Sequence, residues 1–506
     1  MQGSAPKRRR KALKPSGPNS HGRIFSVAVT FSVLALAGPA SVLVLAGPAA
    51  AGNLTIVPSL ELREIFSDNI DQAPDGLDES ALTTEIVPGF TLRSESARAT
   101  AALDVFPIIR HQTAGEDEGF TLAGDLAGLG TLEVEEDLFF VDAQASISQQ
   151  VLNNKSSGAT SDENPVGVFV VSPYLQNRFG GFAVGEARYR LSQVLIGDQD
   201  DAGPATVSDS TNNEVKLSLV SGADFSRLKW AVNALASYEN RSEDDDVERW
   251  ETGLEAEYAI NRSISVLAAA GYQFFDDGEA ANDVDDPTWQ LGFRWRPGPR
   301  TDLRVTYGQL DAERGPRMEF SYKISSRTRI TASYSEILEK SQERLVRNVS
   351  FIDLDSETDQ FLDPQTGLPF ESNQSPFDID NQTSRIKAFR FGLIGARGRN
   401  TFSLNGTVQN ETTEPGGLEE DVIGLMGRFA RRITPHLTLD LFAGYQQTEF
   451  DDGQEDDEYR VNTGLSYRLY ENLRAGVRYG FSLQNSNVDA SEFTENRVTV
   501  SLQMTF

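Results

Sequence analysis

Seven arginines stand where they could act together: Arg294, Arg296, Arg304, Arg460, Arg468, Arg474 and Arg478. Each falls on the polar side of a stretch in which apolar and polar residues alternate. A ring of fixed guanidinium charge inside a pore guides an anionic polymer or solute. The same side also carries Glu255, Glu257 and Glu319. Pairing with those carboxylates turns the arginines into filling for a wall, and buried charge must be compensated somewhere. A second group is acidic. The stretch from Lys340 to Ser384 holds Asp353, Asp355, Asp363, Asp378 and Asp380. A connection this long is a functional lid or a solvated loop. As a lid it would gate a pore by size and charge.

Other chemistry is thinly represented. There is no cysteine, hence no thiolate nucleophile and no thiolate metal site. The aspartate spacing does not fit the Gly-containing calcium loop, and neither a phosphate-cradling loop nor a dinucleotide or zinc motif occurs. No cofactor is expected. Past the N-terminal region the only histidines are His111 and His436. A triad on His111 would need a serine motif beside it, and none is present; the expectation is that the protein is not an enzyme. The net charge of -29 argues against contacts to nucleic-acid phosphates.

The elements that must position these groups are strands. In the last ten residues Val498, Val500, Leu502, Met504 and Phe506 alternate with Arg497, Thr499, Ser501, Gln503 and Thr505. Successive side chains of a strand point to opposite faces, so one face is apolar and the other polar. The pattern repeats at 289–296, 303–308, 318–324, 459–469 and 473–483. A soluble sandwich would also alternate, but its inner face must be dry. Here the polar face carries arginine, glutamate and glutamine on strand after strand, which a dry interior does not tolerate. Lipid outside and water inside do. Trp250, Tyr258, Tyr272, Trp289, Trp295 and Tyr307 lie on the apolar face, as girdles at the two lipid interfaces would. Tight turns such as Pro297-Gly298-Pro299-Arg300 and Tyr470-Glu471-Asn472 alternate with acidic segments at 243–248, 276–286 and 451–458. Short turns face the periplasm and longer loops the exterior. The fold class expected is all-β: a transmembrane antiparallel up-and-down barrel of about 22 strands, within roughly 18–24. The count is blurred between Gly119 and Gly222, where small residues dominate.

Residues 1–51 read as a cleaved signal and 52–506 as the barrel. Lys7 to Lys14 are basic, Ile24 to Leu36 apolar, and Ala49, Ala51 and Gly52 provide the small residues of a cleavage site. Removing the seven positive charges of residues 1–51 takes the net charge from -29 to -36. No later apolar run approaches the roughly 20 residues a membrane helix needs. Export together with a transmembrane barrel implies the outer membrane of a Gram-negative bacterium and contact with its lipid.

Pro58–Ile70, Glu85–Arg93 and Asp137–Gln150 give the chain a resemblance to the outer-membrane β-barrel family associated with PEP-CTERM sorting and exopolysaccharide systems. The resemblance covers about the first hundred residues after the signal. It implies an outer-membrane barrel, with polysaccharide-export components as partners by association. The terminal strand resembles the signal that such barrels present to the barrel-assembly machinery: Val498, Val500, Leu502, Met504 and the final Phe506. Three functions stay open from sequence: a transport or secretion channel, a filled barrel whose loops anchor matrix polymer or a partner, and an enzyme on His111.

Overall fold

The structure, a computed structural model, describes residues 53–506 apart from 154, 156–162, 198–206, 243, 280–281, 351, 356–359 and 363–376. The cleavage residues Ala49, Ala51 and Gly52, and Asp363 of the acidic stretch, lie outside the described residues.

Strand follows strand. The first eight are β1 (Asn53–Ser67), β2 (Ala81–Glu95), β3 (Ala99–Gln112), β4 (Gly119–Glu135), β5 (Phe139–Val151), β6 (Glu163–Phe179), β7 (Ala183–Ile196) and β8 (Ser210–Ser221). Then come β9 (Leu228–Arg241), β10 (Val247–Ala259), β11 (Ile264–Asp276), β12 (Val284–Gly298), β13 (Thr301–Leu310), β14 (Glu313–Ser325) and β15 (Thr328–Lys340). An insertion interrupts the series: helix α1 (Ser341–Ser350) and the hairpin of β16 (Asp353–Asp355) and β17 (Gln360–Leu362). The wall resumes with β18 (Thr383–Arg397), β19 (Asn400–Glu414), β20 (Glu419–Arg432), β21 (Leu437–Glu449), β22 (Glu455–Tyr470), β23 (Leu473–Ser486) and β24 (Phe493–Thr505).

All but the small hairpin belong to one 22-stranded antiparallel sheet. β24 closes it against β1, from Ser59↔Thr505 to Ser67↔Arg497. Closure leaves no unpaired edge facing lipid. The terminal residue joins the seam, because the Phe506 backbone N–H donates to the Pro58 carbonyl at 2.9 Å. Turns at the end that holds the C-terminus are short. One of them passes through Gly398, whose φ of +64° suits glycine.

The two faces separate as the alternation requires. Val498, Val500, Leu502, Met504 and Phe506 point outward and are exposed. Trp250 and Tyr258 sit eight residues apart on the outer face of β10, about 26 Å along the strand. A strand tilt of about 40° leaves roughly 20 Å of barrel height between them, close to the roughly 25 Å apolar band of such barrels. The upper tyrosines hold carboxylates above that band: Tyr272 Oη donates to Asp285 and Tyr445 Oη to Asp457, each at 2.7 Å.

The acidic segments do sit at the connections, but their ends extend into the strands, so each is part strand and part loop. β22 already begins at Glu455, and β12 runs up through Asp285 and Asp286. Above the lipid both faces of a strand are wet, so carboxylates cost the ladder nothing. The walls therefore stand taller than the membrane and the loops between them are short.

Candidate functional site

The insertion between β15 and β18 folds inward and crosses the mouth. Its first turn is capped from within: the Lys340 backbone N–H donates to Glu343 Oε2 at 3.2 Å, the returning half of a capping box. Leu345 and Val349, one turn apart, then face the same way and are almost wholly buried. They pack on the far wall, against Val166, Val168 and Val170 of β6, Val194 and Ile196 of β7, and Val207 beyond. A ten-residue helix is about 15 Å long, and with side chains at both ends it reaches from β15 to β5, β6 and β7. The hairpin continues on the same patch: Phe361 is buried there, and the guanidinium of Arg93 from β2 lies 5.4 Å from its ring centre. On the return leg Ile379 donates its N–H to the Leu152 carbonyl at 2.9 Å, and Phe377 packs against Ile386, Ala388 and Val422. Fully burying an aliphatic or aromatic side chain contributes about 1.5–3 kcal/mol, so this apolar patch is a substantial dock.

The near end is held by charge. Lys340 Nζ is 3.3 Å from Asp277, Arg249 is 3.2 Å from Glu343, Arg347 is 2.6 Å from Glu339, and Arg344 is 3.1 Å from Glu411. Gln342 is fully buried and donates to the Ser208 carbonyl at 3.2 Å and to Asn381 Oδ1 at 3.1 Å. Of the acidic residues singled out from sequence, Asp378 and Asp380 belong to this clamp. The Asp378 carbonyl accepts from Arg344 at 2.7 Å, and the Asp380 N–H donates to Ser341 Oγ at 3.3 Å. Burial holds the Asp380 carboxyl above the usual range. Asp353 is exposed at the head of β16, and Asp355 ends that strand.

Asp277 gives the clamp a pH signature. Burial pushes its carboxyl up, but hydrogen bonds from Thr383 and Asn282 and the charge of Lys340 outweigh it, leaving it below the usual carboxylate range. The stability it contributes is present above its ordinary pKa and is lost only as pH falls through the depressed value. Acidifying from pH 7 to pH 5 is therefore expected to leave this latch closed, whereas Asp277→Asn loosens it at both pH values. Limited proteolysis between β15 and β18 reads the difference; equal cleavage of the two proteins at pH 7 would refute it.

The seven lumen arginines divide into two sets. On one wall Arg294 pairs with Asp302 and lies 3.6 Å from Glu257, Arg296 is 3.2 Å from Glu257, and Arg304 is 3.9 Å from Glu255. On the other, Arg460 pairs with Glu458, while Arg468, Arg474 and Arg478 make no ion pair among the described residues. The histidines stand apart from both sets. His111 is on the outer side of β3, edge-on to the exposed ring of Phe120 at 4.5 Å, and His436 lies in the turn before β21.

Sequence reasoning missed the helix and its dock. Leu345 and Val349 at i and i+4 were the signal for the helix. The run Val166–Val171, apolar on both faces, was the signal for a wall covered on its inner side too.

Family comparison agrees with this architecture. Residues 404–506 match the family described as "Putative beta-barrel porin 2", and residues 115–342 match "Gram-negative porin". No curated protein matches the chain in sequence. Among solved structures, the FrpB iron transporter from Neisseria meningitidis (F5-1 variant, apoprotein form) is 9% identical with a TM-score of 0.50, over 89% of this chain and 81% of that one. The siderophore receptor PirA from Acinetobacter baumannii is 9% identical with a TM-score of 0.47, over 89% and 80%. At such identity the likeness speaks for the fold alone. The protein is a closed 22-stranded β-barrel of the Gram-negative outer membrane.

Proposed function

We propose that the barrel is a diffusion channel whose outer mouth is narrowed by helix α1, the β16–β17 hairpin and residues 377–382. One observation carries this reading: a polar lumen is crossed by an element docked on a dedicated apolar patch at one end and clamped by buried ion pairs at the other. Barrels of about 22 strands enclose a lumen wide enough to need a plug, and this insertion occupies the mouth. Its exposed Asp353 and the acidic rim set the charge that an entering solute meets first. Exopolysaccharide as cargo is supported by the resemblance of Pro58–Ile70, Glu85–Arg93 and Asp137–Gln150 alone.

The test is single-channel conductance of the refolded chain in a planar bilayer. Discrete, steady steps support a constricted pore. A folded, heat-modifiable barrel that passes no current overturns the channel reading in favour of a filled barrel that anchors polymer or a partner.

The reading includes an assembly signal. Val498 to Phe506 form the closing strand, and Phe506 is 67% exposed on the outer face. A machinery that recognises an edge strand by strand addition would seat these alternate side chains in pockets. Deleting Phe506 is expected to lower the amount of folded barrel in the outer membrane several-fold while leaving refolding in detergent intact. Unchanged membrane levels would remove the assignment.

A further inference from the structure

The unpaired arginines point to the class of solute, an inference that rests on the channel reading and extends it. We infer that the periplasmic half of the wall formed by β21–β23 is a track for solutes bearing carboxylate or phosphate groups. Arg468 of β22 and Arg474 of β23 stand directly opposite each other in the ladder. Val477 and Tyr479 point outward and are exposed, so Arg474 and Arg478 point into the lumen. Like charges directly opposite one another destabilise a sheet unless they are compensated, and several other lumen arginines of this chain are compensated. Arg63 and Arg110 share Glu85, Arg188 takes Asp142 and Glu186, and the facing arginines of β12 have their carboxylates. Here Asp440 stands two strands from Arg478, on the same rung across Gly464, and forms no ion pair with it among the described residues.

The wall around them is shaped to leave guanidinium groups free. Gly464 lies between Asp440 and Arg478 in the ladder, and a β-carbon there would sit 3.7 Å from Arg478 Nε. Gly476 faces Ser501, whose hydroxyl oxygen would lie 2.8 Å from an added β-carbon. Arginines standing above glycines, with serine hydroxyls between them, offer forked donors to a planar or tetrahedral anion. Arg474 and Arg478 are four residues apart, about 13 Å along the strand. A solute can thus pass from one to the next without occupying both.

The experiment uses the refolded full-length protein and tripolyphosphate as probe. Calorimetric titration at low salt is expected to show binding that weakens as salt rises. Arg468→Gln/Arg474→Gln/Arg478→Gln should weaken it more than tenfold, while Arg294→Gln, on the paired wall, should leave it within twofold. In bilayers tripolyphosphate should reduce the intact protein's current and leave that of the triple variant unchanged. If the triple variant does not refold, Arg474→Gln alone is expected to weaken binding severalfold. Equal binding by the intact and variant proteins, or none by the intact one, overturns the track. A barrel that binds tripolyphosphate through these arginines but passes no current overturns the channel reading and leaves the track standing.

Discussion

A chain in which Lys340 is joined to Thr383 by a two-residue Asn-Gly turn is expected to conduct several times more current than the intact protein. The geometry permits this excision without disturbing the wall. β15 and β18 pair without interruption from Thr328↔Gly395 to Lys340↔Thr383, so the last ladder rung already brings the two ends of the insertion together. A two-residue turn with positive φ at both positions fits the twist of such a hairpin, and Asn-Gly supplies it. What is lost is α1, the β16–β17 hairpin and the return leg, all of which lie across the mouth. Lost as well is cover over Val166, Val168 and Val170, which then line a wet lumen at some cost in stability. Single-channel steps of the same size in both proteins would mean that the insertion does not narrow the conducting path.

How much of this could be read from the chain depends on what each strand faces. From β10 to β14 and from β21 to β24 the inner face is wet and the outer face is in lipid. Trp289, Leu291, Phe293 and Trp295 against Gln290, Gly292, Arg294 and Arg296 therefore announce both the strand and its orientation. Between Gly119 and Gly222 the signal fades for a physical reason. There the lumen side of β6 and β7 is covered by Leu345, Val349 and Phe361. A strand buried on one side and in lipid on the other has no polar face to alternate with. The gap in the pattern marked the docking patch. The acidic residues misled in the opposite sense: a run such as 455–458 reads as loop because strands disfavour carboxylates. Above the membrane that preference is offset by the ladder, and β22 starts at Glu455. The arginines showed their face, and Glu255 and Glu257 were legible as partners on one wall, but Asp302 and Glu458 were not. Which are paired depends on neighbours from the same strand up to three strands away, as with Arg460 and Glu458 or Arg304 and Glu255.

The clamp offers the second large effect. Arg344→Ala is expected to free the insertion from the mouth. The Arg344 side chain is 6% exposed and its partner Glu411 10%. Its guanidinium also donates to the Asp378 carbonyl at 2.7 Å and to Ser341 Oγ at 3.2 Å, and lies 5.8 Å from the Phe377 ring centre. One side chain thus ties the helix, the return leg and β19 together. Removing it leaves the Glu411 carboxylate buried without its counter-charge, a change that costs about 3–5 kcal/mol. At about 1.4 kcal/mol per factor of ten, the docked population relative to the open one should fall by about two to three and a half orders of magnitude. The wall keeps its own ladder from Thr383↔Glu414 to Arg397↔Asn400, so the barrel remains folded. The expected signs are flickering current and rapid proteolysis between β15 and β18, with hydrogen exchange in residues 341–350 rising to match. Arg344→Lys should rescue only part of this, since an ammonium restores charge but not the planar fork. Arg344→Met/Glu411→Gln should recover more than Arg344→Met alone, because it removes the stranded charge along with its partner. If the double variant is no better docked than the single one, the clamp acts through packing on Phe377 rather than through the ion pair.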